Sequence, residues 1–134
     1  MKQINQVKQK TNVKVFYMKK DAWRNAVEND LLNEMSGQHT VNSLKLTGFD
    51  EFAGVAVVEL EGETSERVAE LAFATFNDPD RNPLATPEGQ QKIRAEGAGH
   101  TSMSVGDFVL LDNQIILVCM DKGWKSLSIR DVIG

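Results

Sequence analysis

VKVFYMKKDAWRNAVENDLLNEM, residues 13–35, carries two hydrophobic periods in succession. From Val13 to Met18 apolar residues fall on both faces of an extended chain: Val13, Val15 and Tyr17 on one, Phe16 and Met18 on the other. That pattern predicts a strand covered on both sides, and so an interior one. From Asp21 onward the period lengthens to that of a helix. Trp23, Val27, Leu31 and Met35, joined by Ala26, make one stripe, which predicts a helix to about Met35 with Trp23 in the core. Asp21 is placed to cap it and Gly37 to end it as a left-handed C′ residue. A strand followed at once by an amphipathic helix selects a mixed fold.

Downstream, Leu44 and Leu46 alternate with Lys45, predicting a short strand over Val41–Thr47. Ala53–Leu60 is rich in β-branched residues and reads as a clear strand. Thr64 or Ser65 caps a second helix to about Phe76, striped by Val68, Leu71, Ala72, Thr75 and Phe76. After the loop Asn77–Pro83, Thr86-Pro87-Glu88 opens a short third helix that closes before Gly97. Ser104–Leu111 and Gln114–Met120 read as strands around an Asp112-Asn113 turn, and Trp124–Ile129 as a last one. The predicted order is β-α-β-β-α-(short α)-β-β-β: an α+β antiparallel sheet with two helices on one face, ferredoxin-like or related. Residues 1–11 read as a flexible polar arm and 12–134 as one domain.

Charge is uneven. Residues 1–20 hold six lysines and no acid, whereas residues 21–80 hold 13 acids against three bases. An acidic middle repels a phosphate backbone, so contact with nucleic acid would have to use the lysine-rich arm. The N-terminus lacks the apolar core of a signal peptide, and no apolar run is long enough to span a membrane, so a cytoplasmic protein without membrane contact is expected. The one cysteine, Cys119, sits in an apolar run and reads as a buried structural residue.

Phosphate-loop, dinucleotide and hydrolase signatures are missing from the sequence, and His39 and His100 have no ligand-spaced neighbours, so neither cofactor nor metal is expected. The densest polar segment is GAGHTSMSVGD, residues 97–107. His100, Thr101, Ser102, Ser104 and Asp107 are its candidate binding residues, with Trp124 as a further anchor from a late turn. The competing reading is a structural elbow in which the hydroxyls tie down turn backbone. For catalysis the elbow reading is preferred, and no catalytic residue is assigned.

The block His100–Asp107 together with Gly123-Trp124-Lys125 resembles the C-terminal part of YodL-like proteins of bacteriophages and conjugative elements. That resemblance implies a setting and no chemistry. With the small size, the missing catalytic signatures and the acidic middle, that setting leads to the expectation of a non-enzymatic accessory protein that binds and modulates or inhibits a host bacterial protein, in host takeover or counter-defence. The acidic middle would suit a basic, nucleic-acid-handling partner. The alternatives are a nucleic-acid-binding accessory factor using the lysine-rich arm, and a small enzyme or ligand binder centred on His100–Asp107.

Overall fold

The computed structural model describes residues 10–28 and 36–133. Residues 1–9 of the expected arm, and Leu31 and Met35 of the expected stripe, lie outside them; Lys10 and Thr11 already belong to the first strand.

Among the described residues, five strands form one antiparallel sheet in the order β2-β1-β3-β4-β5: β1 (Lys10–Met18), β2 (Phe52–Glu61), β3 (Phe108–Leu111), β4 (Ile115–Cys119) and β5 (Trp124–Ser128). β1 is interior, as its two-faced pattern predicts. Val13 pairs with Val58 of β2 on one side and with Leu111 of β3 on the other. The β3–β4 turn places Asp112 and Asn113 at φ 50° and 58°, the two successive positive values of a tight hairpin.

Helices cover both faces of the sheet, one hydrophobic core on each. Val13, Val15, Tyr17, Val55, Val109 and Leu117 face Val68, Ala72 and Phe76 of α3 (Ser65–Thr75) and its C-cap, Leu84 of a 3-10 turn, and Ile93 of α4 (Pro87–Glu96). On the opposite side Met18, Phe52, Phe108, Leu110, Ile116 and Val118 pack with Val41 and Leu44 of α2 (Ser36–Thr47). Ala22 of α1 (Lys20–Glu28) and Ile129 and Val132 of α5 (Ile129–Ile133) add to that second core. The α+β class, the antiparallel sheet and the broad element order agree with the sequence; the ferredoxin-like placing of helices on one face does not.

Two local differences explain the change of layering. Val41–Thr47 is helical, not a strand. Thr40, Val41 and Leu44 are buried at helical spacing, whereas Leu46 is 83% exposed, so the Leu44/Leu46 alternation carries no sheet face. Gly37 lies inside α2 instead of ending α1. A Cβ there would stand 2.6 Å from Met120 Sδ and 3.1 Å from the Cys119 carbonyl oxygen, so the glycine permits close approach of helix to sheet. Asp21 is in the first turn of α1, pairing with Arg24 at 3.4 Å, because the helix begins at Lys20. The other caps match: Thr64 Oγ1 accepts from Arg67 N, Thr86 Oγ1 from Gly89 N, and Gly97 closes α4 at φ 85°.

Candidate functional site

The segment between α4 and β3 is anchored at many points. After the Gly97 cap, Lys19 and Ala98 form a bridge, and Lys20 N–H donates to the Gly97 carbonyl at 2.8 Å. Thr101 is held through its backbone: its carbonyl accepts from the Tyr17 hydroxyl at 2.9 Å and from Asn82 Nδ2 at 3.0 Å. Its hydroxyl accepts from Gln90 Nε2 at 2.9 Å. Asn77 Nδ2 reaches the Met103 carbonyl, and Thr40 Oγ1 donates to the Gly106 carbonyl at 2.6 Å. Side chains from β1, α2, α4 and the loop after α3 thus fix one stretch of irregular backbone, satisfying carbonyls that no sheet ladder serves.

Asp107 is the hub. Its side chain is 3% exposed, and three donors converge on it. Met18 N–H reaches Oδ1 at 3.1 Å; Ser104 N–H and His100 Nε2 reach Oδ2, each at 2.8 Å. Burial pushes its carboxyl above the usual carboxylate range, while the His100 hydrogen bond and charge and the two N–H groups act in the opposite direction. Burial, with the nearby Asp107 charge, also raises the Tyr17 phenol, so its hydroxyl stays a neutral donor.

His100 is one-third exposed, its ring stacked on Tyr17 with centroids 4.4 Å apart and planes inclined by 14°. Its Nδ1 has no partner among the described residues. The imidazole lines a cleft of about 390 Å³ with Met18, Lys20, Trp23, Ser104 and Asp107. The sequence-predicted residues therefore separate. His100, Ser104 and Asp107 meet at the cleft; Thr101 is spent on the anchoring network; Ser102 is exposed and does not line it. Trp124 lies elsewhere, edge-on to Phe73 at a 6.3 Å centroid distance, beside a different depression.

Trp23, read from its stripe as core, is 53% exposed and forms one wall of the cleft. Only Ala26 of α1 is buried, so the four-residue stripe points outward at both described positions, Trp23 and Val27. Lys20 was hidden within a lysine-rich stretch. Its stem packs close to Gly99, where a Cβ would lie 3.3 Å away, and its ammonium has no ion-pair partner among the described residues. Cys119 is buried, with its thiol pushed up to about 11 chiefly by burial and then by the Asp107 and Asp121 charges. No helix among the described residues is long and apolar enough to cross a membrane.

No protein-family model and no solved structure matches the chain. One relative is an uncharacterized protein, R785, of Acanthamoeba polyphaga mimivirus, 42% identical over 65 residues that make up 48% of this chain and 57% of the relative. The chain thus matches little more than half the length of that relative. These findings correct the bacteriophage and YodL-like resemblance: the relative belongs to a giant virus of a eukaryote, and nothing links the chain to phage or conjugative-element proteins.

Proposed function

We propose that the protein is a non-enzymatic binding protein that engages a partner polypeptide through the His100 cleft and the adjoining outer face of α1. The observation that carries this reading is the exposure of Trp23 at the wall of the cleft. A tryptophan side chain, with two rotatable bonds, offers a large apolar surface at low entropic cost, and such residues dominate the energetics of interfaces. Val27, one turn along, is exposed as well and widens the patch. The cleft has room for one or two partner side chains, and His100 Nδ1 offers them a polar atom.

Binding is favoured over catalysis because the reactive groups around the cleft are committed to the fold. Asp107 accepts from two backbone N–H groups besides His100, and the Tyr17 hydroxyl is donated to Thr101. With the bacteriophage setting withdrawn, the partner is defined by chemistry alone: a segment with an apolar or aromatic side chain for the cleft.

Selection of a yeast-displayed random-peptide library on the wild-type protein tests this. Enriched peptides should carry such a side chain and lose roughly tenfold or more in affinity against Trp23→Ala. Peptides that bind that variant as well as the wild type would refute the reading.

A further inference from the structure

A second surface feature lies apart from the His100 cleft, where α3 meets the start of β5. Phe73 and Trp124 stand at 83° to each other, making a right-angled aromatic corner. Phe73 is 36% exposed, and both rings line a depression of about 240 Å³. Glu70, one turn earlier on α3, and Asp121, in the β4–β5 turn, line it too. Two aromatic rings and two carboxylates at one depression form a surface of uniform electrostatic sense. Ring faces and carboxylates both attract a cation, and a planar one can stack on the indole while donating to oxygen.

The surroundings agree. Burial, then the Asp107 charge and last the Asp121 charge hold up the thiol of Cys119, which also lines the depression. The cations nearby leave room for another. Arg67 pairs with Glu70 at 3.5 Å, but both side chains are more than half exposed, and such a pair yields readily to a competitor. Lys125 follows Trp124 on β5, and alternation along the strand places it on the opposite face. Lys122 is exposed in the turn and does not line the depression. The region 21–80, to which α3 belongs, carries 13 acids against three bases, which favours approach of a positively charged partner.

We infer that the Phe73–Trp124 corner, with Glu70 and Asp121, is a binding site for a guanidinium group, the arginine side chain of a partner polypeptide. The site is independent of the His100 cleft in residues and in ligand.

The test is a titration of ¹⁵N-labelled protein, at low ionic strength, with acetyl-Gly-Arg-Gly-amide and with the same tripeptide carrying uncharged, near-isosteric citrulline. The Trp124 indole N–H and the Gly123 amide should shift saturably with the arginine peptide, in the range of about 1–50 mM, and remain still with citrulline. The surface substitutions Glu70→Gln and Asp121→Asn, combined, should weaken the arginine response by at least about threefold without moving the melting temperature. Added salt should weaken it as well. Equal shifts with citrulline, no saturable shift over that range, or undiminished binding by the folded double variant would each overturn the assignment.

Discussion

The imidazole of His100 lies flat against the ring of Tyr17 while its Nε2 is held 2.8 Å from the buried Asp107 carboxylate. Tyr17 belongs to an interior strand and Asp107 to the approach of the next one, so the histidine is fixed by two rigid elements. A side chain held in that way meets a ligand with little rotameric freedom left to lose.

Removing Asp107 strands the N–H groups of Met18 and Ser104. Asp107→Ala should therefore destabilise by about 1–3 kcal/mol, chiefly through the Met18 N–H left unpaired in the interior. Urea unfolding followed by circular dichroism reads the loss; a change below about 0.5 kcal/mol would show that water replaces the carboxylate at no penalty.

The pH dependence follows from the same carboxyl. Its folded-state pKa lies above its unfolded value, so the native state holds the proton more tightly than the unfolded chain. Its stabilising contribution is full below the unfolded value near ~4 and is lost as pH rises through the folded value. Wild-type stability minus that of Asp107→Asn, which cannot titrate there, should fall across that window. Unfolding curves for both proteins at a series of pH values check the sign, and a difference that climbs with pH would contradict it.

Asn82 should matter more than Tyr17 to the anchored loop. The buried Asn82 donates to the Phe76 and Thr101 carbonyls and accepts from Leu84 N–H, whereas the Tyr17 hydroxyl shares the Thr101 carbonyl with it. Tyr17→Phe should cost about 0.5–1.5 kcal/mol, and Asn82→Leu more, roughly 2–4 kcal/mol. Paired denaturation midpoints would expose the reverse order.

Two glycines offer a steric contrast. A Cβ on Gly89 would collide with backbone atoms of Leu84 and Pro83, while one on Gly48, at φ 67°, meets nothing. Gly89→Ala should lose about 3 kcal/mol or more by overpacking. Gly48→Ala should lose only the roughly 1–2 kcal/mol of a left-handed alanine. Thermal melts of the two variants give the comparison.

Cys119 should resist modification. With its thiol pushed up to about 11, it is neutral at mildly alkaline pH as well as buried. Ellman's reagent at that pH should react with the folded protein far more slowly than with the urea-unfolded chain; equal rates would place the sulfur at the surface.

Much of the fold is legible in the chain because local signals and tertiary structure agree there. The two-faced pattern of Val13–Met18, the Thr64 and Thr86 caps, Gly97 and the Asp112-Asn113 turn each specify their own geometry. The failures have a common cause: short apolar periods do not say which side meets the core. Leu44 and Leu46 alternate, yet one is buried and the other is in solvent. Trp23 and Val27 share a helical stripe, yet the contact face of α1 runs through Ala22 and Ala26. In the candidate site, the polar density of residues 97–107 is visible in sequence, but Tyr17 and Met18 arrive from the end of β1 and Lys20 from the start of α1, both distant along the chain. Trp124, close to Asp107 along the chain, ends up beside α3.

β1 is hydrogen-bonded along both edges, to β2 on one side and β3 on the other. Its partners leave the ribosome at very different times, and Val13 must wait for Leu111 long after Val58 has emerged. Through that interval one edge of the nascent strand stays unzipped, open to a chaperone or to the same strand on a neighbouring polysome chain. Sheet completion is thus a late, long-range event, and translation speed over the second half of the message sets how long that edge is left open.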